Sequence, residues 1–257
     1  MAGFLMLRLL WIVLERAGKV GVVTDFERDV AGYIRDYNRG RAEALVDALS
    51  VVACPPTLPE LLRGIMGDEE RFADVARRSV VHPNGFAKIV LLSASDFCLR
   101  LHVWHENGAR TSEFRESVHN HRWDFAAVVL AGAYRHQEFQ VCDGGSSFLR
   151  YRYQPAEDRR SFALVPHGDQ PLRCVFDVHL AQGSRYSMSS RVLHRVVPDP
   201  ALPAVSLVLE GPHQPTSVDV FAEHDLGRGA RVPFVPLSSK ALQHHLNVVA
   251  ALTPGPV

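Results

Sequence analysis

The sequence predicts a mainly β fold, an antiparallel sandwich or barrel with helices before it and one helix after it. From about Ala87 to Phe221, short runs of β-forming residues alternate with turn residues, and no helical stretch intervenes. Before them, apolar residues recur at helical spacing from Asp25 to Arg78. After them, Ser238 or Ser239 precedes the helical stretch KALQHHLNVVAAL. We therefore predict a helical extension over residues 1–84, a β-barrel over 85–225, and a turn and helix packed on the barrel over 226–257.

Composition limits the classes of partner. Apolar residues make up 47% of the chain and charged residues 22%, which is enough for a folded core. The 28 basic and 28 acidic residues balance, so we expect neither nucleic acid nor a membrane as partner. Four cysteines occur and none forms a C-x-x-C pair, which is typical of a reduced, cytoplasmic protein.

The helical region begins after an apolar segment, residues 3–14, which is too short to span a bilayer. Three interpretations remain open for this segment: an amphipathic helix or strand packed on the body, a poorly ordered start, or a targeting signal. Beyond it, Asp25 precedes a long helical pattern, and Thr57 is a candidate cap for PPTLPELLRGI. In GDEERFADVARRSVV the acidic residues come first and the arginines last, as the helix dipole favours.

The β region divides into short predicted strands. Glycines at Gly132, Gly144-Gly145, Gly168 and Gly183 are expected to separate them. Along FCLRLHVWH, alternation places Arg100, His102 and Trp104 on one face of a strand. If that face points inward, Arg100 and His102 line the interior. The predicted strands are KIVLLSAS, FCLRLHVWH, DFAAVVLAG, AYRHQEFQV, SFLRYRYQ, SFALV, LRCVFDVHLA, RYSMSS, AVSLVLEG and SVDVFA.

A candidate metal site lies in the run SVHNHRWDF. On a strand, His119 and His121 point to the same face, about 6 to 7 Å apart, and two imidazoles so placed can bind one cation. The third ligand has to come from another strand, and His194 is the best candidate. Asp124 fits better as a residue that bonds nearby backbone. Seven further histidines are expected on the surface or in loops; they are His105, His167, His179, His213, His224, His244 and His245.

These residues resemble the two motifs of the cupin family. The first run matches the H-x-H motif followed by an apolar strand and Gly132, and the second has Gly183 followed by His194. The resemblance covers about residues 85–222 and implies a double-stranded β-helix, or jelly-roll, barrel with one divalent metal. The glutamate ligand that is common in cupins is absent, because Phe125 and Ala126 occupy its positions.

A three-histidine site resembles that of the cysteine dioxygenase-like enzymes, and Leu193 to Val196 looks like their third-ligand strand. The family's Cys–Tyr cross-link is absent, since no Cys follows the H-x-H run closely and no Tyr follows Tyr186. Their carboxylate-binding arginine has no clear match. Lys88 lies close to the expected place, and Arg100 is a substitute.

The resemblance implies a mononuclear non-haem Fe(II) oxygenase, with Zn, Ni or Mn as other possible metals. It would act with O2 on a small polar metabolite such as a thiol or an amino acid. The candidate catalytic residues are Lys88, Arg100 and Tyr186; other cations available near the site are Arg122 and Arg185, while Tyr134, His136 and Met188 could line the barrel. A metal-dependent isomerase or lyase and a non-catalytic small-molecule-binding cupin stay open as alternatives. The resemblance also implies a possible homodimer.

Overall fold

A computed structural model describes residues 22–104, 117–157, 160–199, 202–227 and 231–252 of the chain. The apolar segment 3–14 lies outside these ranges. The helices are α1 Val22–Asn38, α2 Ala44–Ala53, α3 Thr57–Met66, α4 Glu69–Arg78 and α5 Ser239–Leu252. The strands are β1 Val80–Val81, β2 Phe86–Ser93, β3 Cys98–Trp104, β4 Val118–His119, β5 Phe125–Ala131, β6 Ala133–Pro155, β7 Ser161–Ala181, β8 Arg185–Met188, β9 Leu193–Pro198, β10 Ala204–Glu210, β11 Asp219–Ala222, β12 Arg231–Pro233 and β13 Val235–Pro236.

Helices α4 and α5 begin close to where their sequences predict, whereas α1 begins at Val22 with Asp25 in its first turn. The prediction for Thr57 is wrong, because Thr57 is the first residue of α3 and no side chain caps this helix. In α4, the Asp68 side chain accepts a hydrogen bond from the Arg71 amide, and two arginines occupy the last turn. The Ser238 hydroxyl accepts one from the Ala241 amide at the start of α5.

Among the described residues no single helix has the length and apolar character to span a membrane, although α2 and α3 together, with a 71° bend between them, meet that test.

The strands form two antiparallel sheets. The first has the order β13-β1-β2-β3-β10-β5-β8, and the second has the order β11-β4-β9-β6-β7-β12. Strands that are distant in sequence, such as β3 and β10, lie side by side because the chain crosses between the sheets. This arrangement is a double-stranded β-helix, or jelly-roll. The predicted fold class, including the helices at both ends, is confirmed.

The helices cover the outer face of the seven-stranded sheet. Leu99, Leu101 and Val103 of β3 are buried in one apolar cluster with Leu45 of α2 and Leu246 of α5. Because side chains alternate along a strand, the residues between them point to the opposite, inner face. The helical extension therefore completes the core of the barrel sheet, and the inner face is left to line a cavity.

Two predicted strand breaks are wrong. The sequence around Gly144-Gly145 lies inside β6, and Gly168 lies inside β7. These two strands pair along most of their length, with register shifts between Val141 and Ser146 and between Leu149 and Tyr151. The additional residues are accommodated as irregularities in the ladder, so the glycines interrupt the pairing locally without ending either strand.

Candidate metal centre and cavity

His119, His121 and His194 come together at the inner face of the six-stranded sheet. His119 ends β4 and is the direct partner of His194 on β9. Their ring centroids are 4.7 Å apart, and the His121 ring lies 4.9 Å from His119 and 5.0 Å from His194. One ring nitrogen from each residue lies within 4.8 Å of the others, so the three can hold a single metal ion. Among the described residues, this is the group with metal-binding geometry.

The backbone around His121 departs from the prediction. Strand β4 ends at His119, so the H-x-H run does not lie on one continuous strand. The chain stays anchored beyond it, because the Asn120 amide donates to the Asp219 carbonyl and the His121 amide donates to the Ser190 carbonyl. These two bonds hold the His121 ring beside that of His119 although the regular ladder has ended.

The three imidazoles are in the right state to bind a metal. Burial is the main cause that lowers the pKa of His119, His121 and His194, and the positive charge of Arg100 contributes for the first two. All three are therefore neutral at pH 7. Nδ1 of His119 lies 2.9 Å from the Ser117 carbonyl oxygen. A hydrogen bond at this distance places the proton on Nδ1, so Nε2 is unprotonated and can coordinate a metal ion.

Among the described residues, the group with metal-binding geometry contains no carboxylate. Phe125 fills one position where many cupins have a glutamate, and its ring lies 5.2 Å from His121. Asp124 points elsewhere: it accepts hydrogen bonds from the Tyr37 hydroxyl at 2.6 Å, the Ser190 amide at 2.8 Å and the Gln214 side chain at 3.1 Å. The donor set among the described residues thus consists of neutral nitrogens, which suits iron, zinc, copper or nickel.

The histidines open onto a cavity of about 690 Å³ between the sheets. The prediction for β3 is confirmed, because Arg100, His102 and Trp104 all line this cavity. Lys88 and Tyr186 also line it, whereas Arg185 is not part of its wall. Aromatic side chains form much of the remaining wall; they are Phe86, Trp104, Trp123, Phe125, Tyr134, Tyr153, Phe162, Tyr186 and Phe234.

The candidate catalytic residues occupy different surroundings. Arg100 is buried and ion-paired with Glu210, and its guanidinium lies 5.3 Å from the Trp123 ring. The Lys88 ammonium lies 5.3 Å from the centre of the Phe234 ring. The hydroxyl of Tyr186 is 3.2 Å from that of Tyr134. The structure places all three on the cavity wall, and their catalytic roles stay predictions.

Several histidines were not assigned to the site from sequence. His213, which was predicted to be on the surface or in a loop, lines the cavity and stacks on Trp123 at 4.9 Å. His82 also lines the cavity and stacks on Phe86 at 4.7 Å. His136, which the sequence predicted as a residue that could line the barrel, lies 5.8 Å from His194 and 5.1 Å from Tyr186 between ring centroids, but it is not part of the cavity wall. No local pattern marks His82 or His213, because each lies in a connection rather than in an alternating strand.

No protein-family model and no curated protein matches the chain. Solved structures that are similar to it include an uncharacterized protein with a double-stranded β-helix domain from Klebsiella pneumoniae, at 15% identity and TM-score 0.31, with 58% of this chain and 95% of that chain covered. A hydroquinone 1,2-dioxygenase in complex with Cd²⁺ and 4-hydroxybenzonitrile matches at 18% identity and TM-score 0.31, with 56% and 72% covered. A sugar phosphate isomerase of the cupin superfamily from Silicibacter pomeroyi matches at 15% identity and TM-score 0.33, with 63% and 90% covered. The named activities differ and indicate no reaction for this chain.

Proposed function

We propose that the protein is a mononuclear non-haem iron(II) oxygenase that acts on a small organic molecule. The observation that carries the proposal is the convergence of three neutral imidazoles at the wall of a cavity large enough for a substrate. No carboxylate of the described residues belongs to this group. Three protein ligands are the usual number at a catalytic metal, because the remaining positions have to admit the reactants. The choice of iron, and the similarity to the three-histidine thiol dioxygenases, are parts of this proposal.

Each candidate residue has a role that its position allows. His119, His121 and His194 would hold the ion, and iron(II) bound there supplies open positions where an anionic substrate donor and dioxygen can meet. Arg100 lies close enough for its charge to lower the pKa of His119 and His121, and its ion pair with Glu210 holds it beside them. Phe125 and the other aromatic side chains make much of the cavity wall apolar, and an apolar surrounding strengthens electrostatic effects.

Tyr186 fits the role of a proton-holding residue close to the substrate. Its ring lies 6.1 Å from Phe125 and 5.1 Å from His136, and its hydroxyl contacts that of Tyr134. When one hydroxyl of such a pair donates to the other, the second hydroxyl can donate its own O–H to a bound molecule. We therefore assign Tyr186 to orienting the substrate and to donating a hydrogen bond to it.

The first experiment is a measurement of bound metal by elemental mass spectrometry after anaerobic loading with iron(II) and desalting. We expect about one iron per chain in the wild type and little in the His194→Ala variant. The His136→Gln variant is the matched control, because His136 is a buried neighbour of His194 that lies outside the three-histidine group. Equal metal in wild type and His194→Ala would contradict the site.

Oxygen uptake then separates the possible reactions. An oxygenase consumes O2 only when both iron(II) and substrate are present, and a screen of thiols, amino acids and larger organic acids would reveal which class supports uptake. Turnover that proceeds without O2 and with manganese, nickel or zinc would instead establish an isomerase or lyase. If substitutions of His119, His121 or His194 change the stability of the protein and no substrate is turned over in any sample, the protein is a non-catalytic binding protein.

A further inference from the structure

A row of polar side chains crosses the inner face of the seven-stranded sheet. Lys88 on β2 is the direct partner of His102 on β3, and His102 is the direct partner of Ser206 on β10. Directly opposed residues point to the same side of a sheet, and all three side chains line the cavity. This row, which we call the polar row, is separate from the three histidines on the facing sheet.

The charge in the polar row is not compensated by the described protein. Arg100, the neighbouring cation, is ion-paired with Glu210, and both are buried. Lys88 makes no ion pair and no hydrogen bond within the described ranges, and the buried Nε2 atom of His102 has no hydrogen-bond partner there either. Glu157 is the acidic residue of the cavity wall, and it is exposed to solvent. An interior cation without an anion is unfavourable, so an anionic ligand that hydrogen-bonds to Lys88 and His102 would compensate that charge.

Aromatic rings surround the polar row. The Phe86 ring lies 4.6 Å from that of His102 and 5.1 Å from that of Trp104. On the other side, the Phe234 ring lies beneath the Lys88 ammonium. These rings are flat apolar surfaces, which favour a flat apolar ligand body through offset or edge contacts. The space they enclose is part of the same cavity of about 690 Å³, well above what a free amino acid requires.

We propose that Lys88, His102 and Ser206 bind the carboxylate of the substrate and that the substrate is a flat aromatic carboxylic acid. Its ring system lies against Phe86, Trp104 and Phe234, and its other end reaches His119, His121 and His194. This inference rests on the proposed function for the chemistry at the histidines. The carboxylate site itself stands on the polar row and its aromatic walls. The substrate class proposed here differs from the small thiol or amino acid that the resemblance implies, because the acid is larger and carries an apolar ring system.

The test measures binding to the metal-free full-length protein by titration calorimetry, so that no metal can bind the carboxylate. The probe is 2-naphthoate, and its neutral analogue 2-naphthamide has the same shape without the charge. We expect wild type to bind 2-naphthoate at least about tenfold more tightly than 2-naphthamide, since a hydrogen bond to a charged group is among the stronger polar contacts. Lys88→Met should remove this preference.

The matched control is Lys240→Met, because Lys240 is an exposed lysine in the first turn of α5, away from the cavity. It should bind 2-naphthoate like wild type. His102→Phe and Ser206→Ala each should weaken 2-naphthoate binding by about threefold or more, and they provide a second test if Lys88→Met does not fold. Equal affinity for the two probes in wild type, or an unchanged preference in Lys88→Met, would overturn the inference.

The failure of this inference and that of the proposed function give different results. If iron binds and supports oxygen uptake but 2-naphthoate shows no Lys88-dependent preference, the polar row is not the carboxylate site and the oxygenase assignment stands. If 2-naphthoate binds through Lys88 but iron does not bind, the carboxylate site stands and the protein is a binding cupin.

Discussion

His119 and His194 are direct partners in the ladder between β4 and β9, and their ring centroids lie 4.7 Å apart. Residues 75 positions apart in the chain are thus aligned by strand register. Because opposed side chains point to the same face, this pairing orients two of the three candidate ligands before any metal binds. His121 joins them through the backbone bonds at Asn120 and His121 that continue beyond β4.

Removal of the His121 imidazole should abolish most metal binding while the protein stays folded. We expect His121→Ala to retain less than about a tenth of the iron bound by wild type, because two nitrogens hold an ion far less tightly than three. His213→Ala is the control, since His213 lines the same cavity but lies outside the three-histidine group. Elemental analysis after desalting measures both variants. Loss of iron in His213→Ala to the same extent would contradict the assigned ligand set.

The hydrogen bond between Tyr37 and Asp124 should stabilise the contact between the helices and the barrel. The Tyr37 hydroxyl donates to Asp124 at 2.6 Å, and this bond, after burial, raises the pKa of Tyr37 to about 12. Tyr37→Phe should lower the free energy of unfolding by about 1 kcal/mol. Tyr33→Phe, on the same helix, should change it by less than about 0.5 kcal/mol, because within the described chain the Tyr33 hydroxyl makes no hydrogen bond. Urea denaturation at pH 7 compares them.

The same contact should depend on pH. Burial raises the pKa of Asp124, but hydrogen bonds from Tyr37, Ser190 and Gln214 outweigh it and hold that pKa below its ordinary value. A lowered carboxyl pKa stabilises the fold above the unfolded-state pKa of about 4, and the stabilisation is lost as the pH falls through the folded-state pKa. Asp124→Asn should therefore be less stable than wild type at pH 7, with a difference that shrinks below about pH 4. A difference independent of pH would contradict the charge of Asp124 as the cause.

The tight connection between β5 and β6 should tolerate only glycine at position 132. Gly132 has φ +66°, and a Cβ there would lie 2.1 Å from the Pro203 carbonyl oxygen. Gly132→Ala should destabilise the fold by about 3 kcal/mol or more, since backbone has to move. Gly183→Ala is the control: its φ is +89°, but a Cβ meets nothing within 4 Å, so we expect only about 1–2 kcal/mol from the left-handed conformation. Thermal unfolding ranks the two variants.

Binding of 2-naphthoate should weaken as the pH rises from 7 to 9. Burial, and then the charge of Arg100, lowers the pKa of Lys88 to about 8, so Lys88 carries its charge at pH 7 and loses most of it by pH 9. The other charged or titratable groups that act on Lys88 or lie next to it are His82, Cys98 and His102. Both histidines are neutral throughout this range, because burial lowers the pKa of each well below its ordinary value.

The pH profile has two controls. Lys88→Met should bind 2-naphthoate weakly and equally at pH 7 and pH 9, because the group that changes charge is gone. In Cys98→Ser, the affinity for 2-naphthoate should decline between pH 7 and pH 9 as it does in wild type. This result would show that Lys88, and not the Cys98 thiol on β3, causes the decline. A profile that is flat in wild type, or unchanged in Lys88→Met, would show that another group governs binding.

Local periodicity predicted much of the inner face. On β3, alternation alone separates Arg100 and His102 from Leu99 and Leu101, because successive side chains of a strand point to opposite faces. The same rule, together with the spacing of the two motifs, brought out His119, His121 and His194. The continuity of β6 through Gly144 could not be predicted, because it depends on the pairing of β6 with β7 and not on the preference of the glycine itself.

The sequence by itself determined the mainly β fold class, the three candidate histidines and which side chains of β3 share a face, since these follow from β-forming runs, two motifs and strand alternation. The inward direction of the Arg100 and His102 face was decided by the structure. Only the tertiary structure decided which groups meet across the cavity. It pairs Arg100 with Glu210 and leaves Lys88 beside His102 and Ser206, three residues from three strands. It also brings Tyr37 of a helix to Asp124. Such contacts depend on strand register and on helix packing, which are set by the burial of the whole apolar core and not by any local segment.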